Sequence, residues 1–317
     1  FKSEFIYYLN GTQKSARIIR VGLVSSKQNL MPIVGILSGA LVWGLIWYPY
    51  RVLQDMGLAG VFAAMMSYVL ALLCGTFMLP RAMQSLKHAG WWTVGLVFSA
   101  GWSNLGYVLA MLQGEVMRVL LLFYLAPLWT ILFSYWLLGE RLNRYGYAVM
   151  ALSLCGAAIM LWEPQHGLPL PQNLSEWIGL TAGMSFALSN VLSRRAAELN
   201  IEAKSFSVLI GTALLTLPFL LWQGELSNQW QMLNAQAWLI LALIGIALSA
   251  TSYAVQYGVT HLHSNRAMLL FLFELVVAAI SSYFLAGEAM ELRDWIGATL
   301  IVSASLLSGK LHTEKTS

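Results

Sequence analysis

The chain contains ten apolar runs of about 17–25 residues, each long enough to cross a lipid bilayer as a helix. Of its 317 residues, 58% are hydrophobic and 10% are charged, whereas a soluble domain is typically about 25% charged. Backbone groups in lipid must form their hydrogen bonds internally, and the runs are apolar on all sides, so we expect helices rather than strands. The predicted fold is an all-α integral membrane protein with ten transmembrane helices, at 32–50, 57–79, 91–112, 116–138, 145–162, 176–196, 203–222, 236–258, 264–286 and 292–309.

The first 30 residues differ in character, because they are polar and basic and contain no long apolar run. The first methionine, Met31, directly precedes the first apolar run, so we expect residues 1–30 to be an upstream or non-native extension. After it we expect two membrane-embedded units, 31–163 and 174–309, and a cytoplasmic tail at 310–317.

One long segment occurs twice, at residues 118–140 and 266–288, with an offset of 148 (266 − 118). Nine of the 23 aligned positions are identical. Shared leucines carry little information in apolar helices, but both copies also share an Arg at the start, Ser-Tyr near the end and Gly-Glu at the exit. Internal repetition of this kind predicts a duplicated architecture.

The distribution of Lys and Arg predicts the orientation of the chain. With the N-terminus in the cytoplasm, fifteen of these residues lie in cytoplasmic segments, and three (Arg51, Arg118 and Arg293) lie outside. The positive-inside rule therefore places both termini in the cytoplasm. Because each unit has five helices, an odd number, the two repeats are predicted to be inverted. Inverted repeats are an architecture of secondary transporters, with the substrate site near the midplane between the halves.

Two segments, 137–160 and 285–307, resemble the EamA-type drug/metabolite transporter superfamily. Each has Leu-x-Gly-Glu after the fourth helix of its unit, and then an aromatic residue and a Gly that open the last helix. Those residues are Tyr145 and Gly146 in the first unit and Trp295 and Gly297 in the second. The spacer to this Gly is three residues shorter in the first unit (146 − 139 = 7 against 297 − 287 = 10).

The resemblance covers about residues 32–309. It implies a multi-pass permease of the cell (inner) membrane, with a central cavity lined mainly by helices 1, 3, 4, 6, 8 and 9. Members of the superfamily move small organic solutes such as amino acids and drugs, often outward. The motifs do not indicate which solute this chain moves.

Glu274 is the most specific single candidate, because it lies near the middle of helix 9. A carboxylate at the centre of a bilayer costs on the order of several kcal/mol unless it is paired, hydrated or protonated, so it should face the protein interior. It is a candidate for proton coupling or for binding a substrate amine. The alternative is a structural hydrogen bond to helix ends or hydroxyls. The repeat-equivalent residue is Ala126, followed by Pro127, which is predicted to kink helix 4 and free a carbonyl.

Polar and aromatic side chains at membrane depth define a candidate substrate cavity. Such groups normally face protein or water instead of lipid, and together they would form a neutral surface that suits an amphipathic solute. For any one of them, hydrogen bonding between helices is an equally good explanation. The candidates are Trp43, Asn104, Tyr107, Ser189, Asn190, Tyr253, Gln256 and Glu274.

Four arginines form a repeat-related set, with Arg51 and Arg118 at the outer face and Arg195 and Arg266 at the inner face. Each pair is a candidate for attracting carboxylate or phosphate groups to one of the two mouths of the transport path. The alternative is interfacial snorkelling. Arg118 and Arg266 begin helices, where a cation is unfavourable for the helix dipole, so a partner is expected; for Arg118 the nearest is Glu115.

The Gly-Glu exits of the two repeats are candidates for a shared structural device. Gly139 and Gly287 suit helix C-termini, where a positive φ is needed. Glu140 and Glu288 are expected to cap or tie the following turn. The alternative is that they form contacts that break when the two halves move.

Other function classes have less support in the sequence. No Cys/His cluster has metal-site spacing, so neither a metal nor another cofactor is expected. A membrane-embedded enzyme would need a metal-ligand set or a catalytic dyad on adjacent helices, and a non-transporting scaffold would not need a polar midplane. The expected partners are a small organic solute and the lipid bilayer, with no nucleic acid. The expected function is alternating-access transport without enzymatic activity, with export favoured.

Overall fold

The computed structural model describes residues 30–87, 90–113, 116–161, 170–223, 226–287, 290–308 and 313–315. The helices in these ranges are α1 (Met31–Asp55), α2 (Gly60–Cys74), α3 (Leu79–Leu86), α4 (Trp91–Gln113), α5 (Val116–Phe123), α6 (Ala126–Leu138), α7 (Arg144–Leu161), α8 (Leu174–Arg195), α9 (Ile201–Gln223), α10 (Leu226–Gln231), α11 (Ala235–His261), α12 (Ser264–Phe271), α13 (Phe273–Ala286) and α14 (Leu292–Leu307). A 3-10 turn at Gly75–Met78 joins α2 to α3. Two short strands, β1 (Glu140–Leu142) and β2 (Thr313–Lys315), pair antiparallel, which the sequence did not predict.

In the described part of the chain, eight helical segments are long and apolar enough to cross a membrane. The chain is therefore a multi-pass helical membrane protein. The other two predicted spans, 176–196 and 292–309, correspond to α8 and α14, which are helical but fall outside this group. α8 carries Glu176 and Asn190 among its apolar residues, and α14 has 16 residues.

Two of the predicted membrane helices are interrupted near their middle. The fourth is divided into α5 and α6, and the ninth into α12 and α13. Pro127 explains the first interruption, because proline has no N–H to donate within the helix, and the predicted kink is confirmed. The second interruption involves no proline. It falls at Leu272, which corresponds to Tyr124 of the first at the repeat offset (272 − 124 = 148), and a tight turn there has Leu275 N donating to Leu272 O at 3.1 Å.

The helices pack closely, and some contacts leave no room for a side chain. α1 packs on α11 and α13, α4 packs on α8 and α9, and α7 packs on α14. A Cβ on Gly183 of α8 would overlap the carbonyl oxygen of Phe123, beside the first interruption, and a Cβ on Gly35 of α1 would overlap that of Ala254 in α11. Small residues at such crossings are the usual way in which membrane helices approach one another.

Gly183→Ala should destabilise the protein, because the added methyl group meets backbone atoms of Phe123 that cannot rotate away. We expect a loss of about 1–3 kcal/mol of unfolding free energy, as in other overpacked interiors, measured as a lower melting temperature in detergent. Gly90→Ala is the matched control, since a Cβ there would lie at an ordinary 3.5 Å from Glu198 Oε1. Equal melting temperatures for the two variants would contradict the close packing.

Candidate functional site

A small cavity of about 30 Å³ lies between α1, α2, α4, α9 and α11. This volume has room for water but is about tenfold below that of small-molecule sites, roughly 300–1,000 Å³, so in this structure the cavity is closed to an organic solute. The expected set of lining helices is partly wrong for this cavity. The predicted helices 1, 3 and 8 (α1, α4 and α11) line the cavity as expected. The predicted helices 2 and 7 (α2 and α9) line it in place of the predicted helices 4, 6 and 9. The lining residues are Trp43, Tyr68, Asn104, Val208, Leu209, Leu248, Thr251, Ser252, Val255 and Gln256.

Hydrogen bonds fix the polar side chains of the cavity wall. The Tyr68 hydroxyl donates to Asn104 Oδ1 at 2.6 Å, and Asn104 Nδ2 donates to the Ala100 carbonyl at 2.9 Å. In α11, Gln256 Oε1 accepts a hydrogen bond from the Ser193 hydroxyl of α8. The lining side chains are neutral, so the cavity offers apolar contact and a few oriented polar groups, which is typical of a site for an amphipathic small molecule.

Three of the predicted cavity residues, Trp43, Asn104 and Gln256, meet at this cavity. Sequence reasoning missed Tyr68. Its signal was weak, because Ser67-Tyr68 is a short polar interruption in the otherwise apolar run of α2.

Three other cavity candidates, Ser189, Asn190 and Tyr253, are not among these lining residues. Ser189 and Asn190 form hydrogen bonds within their own helix, because both donate to the Phe186 carbonyl at 2.9 Å. Tyr253 is 37% exposed. It follows Ser252 in α11, and one step around a helix turns a side chain by about 100°, so it leaves the face that lines the cavity.

Glu274 lies at the second helix interruption instead of beside the cavity. It is the second residue of α13, and its carboxyl group lies beside the hydroxyl of Tyr124 at the first interruption. A carboxylate in the first turn of a helix is favoured by the unpaired N–H groups there. Tyr107 is close to both groups, and its ring centroid is 5.1 Å from that of Phe123. The two interruptions therefore meet at Glu274 and Tyr124.

Glu140, at the exit of α6, is buried and binds three groups from the second half of the chain. Its Oε1 lies 2.7 Å from Arg194 Nε and 3.4 Å from His263 Nδ1, and its Oε2 accepts the Ser264 N–H at 3.1 Å. Ser264 begins α12, so the carboxylate also stabilises the N-terminus of that helix. Burial acts to raise the pKa of the Glu140 carboxyl, but the His263 hydrogen bond, the charges of Arg194 and His263, and the Ser264 N–H outweigh it and lower that pKa.

The glycines of the repeated Gly-Glu exits behave as predicted. Gly139 and Gly287 end α6 and α13 in the left-handed conformation, with φ of 67° and 70°. Glu140, however, bridges to α8 and α12 and is not a simple tie for the turn that follows it. Glu288 lies outside the described residues.

Arg118, near the start of α5, is buried in an ion pair with Glu176 at the start of α8. Its Nε and Nη2 lie 2.8 and 2.9 Å from the two carboxylate oxygens, and Nη2 also donates to the Leu170 carbonyl at 3.0 Å. A bidentate pair of this kind is strong and directional. The prediction of an open anion-attracting group at Arg118 is therefore wrong for this structure, because Glu176 occupies the guanidinium. The predicted partner, Glu115, lies outside the described residues.

The remaining arginines of the predicted set have dissimilar surroundings. Arg51 and Arg195 are exposed, and the guanidinium of Arg195 lies 5.4 Å from the ring centroid of Trp92. Arg266 is half-buried. The four side chains do not form two matching pairs.

Comparisons with known proteins agree with a membrane transporter. Residues 30–162 and 173–309 match the model of the EamA-like transporter family. An uncharacterized transporter of Archaeoglobus fulgidus is 28% identical over 205 residues, which are 64% of this chain and 70% of that protein. An uncharacterized transporter of Pseudomonas aeruginosa is 24% identical over 174 residues, 50% of this chain and 53% of that protein. A protein with a solved crystal structure has the same fold, with a TM-score of 0.68 and 19% identity over 87% of this chain and 96% of its own.

Glu140→Gln should lower the melting temperature at neutral pH, because it removes the charge that faces Arg194. The pKa of Glu140 is lower in the folded state than its ordinary value of 4.5. Its stabilisation is therefore complete above about pH 4.5 and is lost as the pH falls through the lower, folded value. The melting temperatures of wild type and variant should converge in acid, measured by scanning fluorimetry in detergent.

Asp55→Asn is the control for this titration, since it neutralises an exposed carboxylate. A gap between wild type and Glu140→Gln that stays constant down to about pH 3.5 would show that the charge of Glu140 does not produce the stabilisation.

Proposed function

The chain belongs to the EamA-like transporter family, and from this premise we propose that it moves a small organic metabolite across the cytoplasmic membrane by alternating access. The metabolite is a solute of the size of an amino acid or a small drug. The observation that carries the proposal is the lining of the central cavity, which is neutral and apolar with fixed hydrogen-bonding groups and suits such a molecule once the helices separate to widen it.

The two units, 31–163 and 174–309, are in this proposal inverted repeats of five transmembrane helices each. The packing supports this relation. α1 and α8 are the first helices of the two units, and α4 and α11 are the third helices. α1 packs on α11 and α8 packs on α4, so each first helix packs on the third helix of the other unit. The two helix interruptions also fall at equivalent positions of the repeat, 124 and 272. α8 and α14 are then the sixth and tenth membrane helices, and each packs against a helix that is apolar enough to span, α4 and α7.

Ion pairs at the two ends of the bundle supply two gates. The excess of Lys and Arg on one side assigns both termini to the cytoplasm of the cell (inner) membrane. In that orientation the Glu140–Arg194–His263 contact is the inner gate and the Arg118–Glu176 pair is the outer gate. Both join the first half of the chain to the second, so each must separate before the cavity opens on its side. Export is the direction that the family likeness favours.

Glu274 is the proposed proton-coupling group. An ionised carboxylate only accepts hydrogen bonds, whereas a protonated one also donates. Gain or loss of a proton therefore changes how Glu274 can interact with the neighbouring Tyr124 hydroxyl. Because these two residues lie at the interrupted helices of the two repeats, protonation would shift the balance between the outward-open and inward-open states.

Transport should be detectable with purified protein in proteoliposomes. We expect counterflow of at least one solute from a panel of amino acids and amphipathic drugs. Glu274→Gln should keep counterflow, which needs no gradient, but lose about tenfold of the accumulation driven by a pH gradient, within the usual range of coupling between sites. Asp55→Asn, which neutralises an exposed carboxylate, should keep both activities.

Two outcomes would contradict separate parts of this proposal. Full gradient-driven accumulation by Glu274→Gln would remove the coupling role of Glu274. No counterflow by the wild type for any solute of the panel would count against transport itself.

A further inference from the structure

Lys204 is a fully buried cation that the cavity and the two gates leave unexplained. It is the fourth residue of α9 and has 0% exposure. Its ammonium group donates one hydrogen bond, to Thr260 Oγ1 at 3.1 Å, although an ammonium carries three donors. Among the described residues, no carboxylate lies within ion-pair distance of it, and the exposed Glu198 acts on it only through space.

The ammonium lies on a continuation of the cavity wall. On α9, Val208 lines the cavity and stands four residues after Lys204. On α11, Gln256 lines the cavity and stands four residues before Thr260. Residues four apart share one face of a helix and lie about 6 Å apart along its axis. The seam between α9 and α11 therefore runs from the cavity to Lys204.

α9 and α11 are in contact across that seam in this structure. The Ser252 hydroxyl of α11 donates to the Ser205 carbonyl of α9 at 3.4 Å. Lys204 lies at the same end of the bundle as Arg194, and the charge of Arg194 acts electrostatically on its ammonium group. A separation of α9 from α11 at this end would extend the cavity to the ammonium.

Helix stability does not explain this lysine, because a cation in the first turn opposes the helix dipole. A charge buried at the edge of a membrane protein is costly and usually has a charged partner or a functional role. The anionic partner that is missing from the described residues is one that a solute can supply.

We propose that Lys204 binds the carboxylate of the transported solute in the inward-open state, so that the substrates are small amphipathic organic acids, amino acids among them. The neutral cavity, widened in that state by the separation of α9 from α11, would hold the apolar body of the solute, and Lys204 its acidic end. This inference rests on the proposed transport function and adds a substrate class to it.

Matched acid and amide probes test this assignment. The probes are 3-phenylpropanoate with 3-phenylpropanamide, and leucine with leucinamide. Their affinities are measured by thermal-shift titration of the full-length protein in detergent and by competition in proteoliposome counterflow. For the wild type we expect each acid to bind about tenfold or more tightly than its amide, as for a hydrogen bond to a charged group.

Substitutions of Lys204 assign the preference to this residue. Lys204→Met should bring the acid-to-amide ratio close to one while amide affinity stays within about twofold, and Lys204→Arg should restore most of the preference. Thr260→Val keeps the cation and should keep the preference. Lys87→Met, which removes an exposed lysine, is the matched control and should leave the ratio unchanged.

The possible failures are distinguishable. Exchange of solutes by the wild type without preference for acids, or an unchanged preference in Lys204→Met, would overturn the assignment of Lys204 and leave transport intact. Acid binding without counterflow of any probe would instead overturn the transport function. If Lys204→Met does not fold, loss of the preference in Lys204→Arg together with Thr260→Val would also overturn the assignment.

Discussion

The contact between Tyr124 and Glu274 joins the two places at which membrane helices of this protein are interrupted. An interrupted helix in lipid has backbone groups without helical partners, and these are tolerated only inside the protein. Both interruptions are accordingly packed in the core, where Phe123 lies against Gly183. The carboxylate of Glu274 is placed where the N-terminal N–H groups of α13 favour a negative charge. In the proposed transport cycle, movement of one repeat against the other would change this junction.

Ion pairs connect the two halves of the chain at both ends of the helix bundle. Glu140 is paired with Arg194, and Arg118 with Glu176, and each pair joins the first half of the chain to the second. Breaking a buried ion pair without hydration is costly, so in the proposed transport cycle the end that opens must admit water as it separates. The cavity between the two ion pairs is neutral, and the cation nearest to its proposed extension is Lys204, whose hydrogen-bond partner is the neutral Thr260. In this proposal paired charges close the ends, and a cation without an ion-pair partner among the described residues marks the route of the solute.

The sequence predicted those features that depend on local chemistry. Apolar runs gave the helices, and Pro127 gave the first interruption, because a missing N–H acts on its own helix. The second interruption, at Leu272, has no proline or other local signal. The partner of Arg118 was sought nearby, whereas Glu176 lies 58 residues away. Tyr68 was missed because burial in the cavity wall depends on how α2 meets α4, and an apolar run that contains one tyrosine does not encode that contact. Apolar runs indicate which residues lie in membrane helices, but the neighbours of each residue follow from the tertiary arrangement.

Double electron–electron resonance tests directly whether the two gates open in alternation. After replacement of the exposed Cys74 and Cys155 by serine, one spin-label pair at exposed positions 141 and 261 would report the Glu140 end, and another at exposed positions 113 and 174 the Arg118 end. The account predicts that a change of pH or addition of a transported solute lengthens one distance while it shortens the other. Two distances that never change, or that lengthen together, would contradict alternating access.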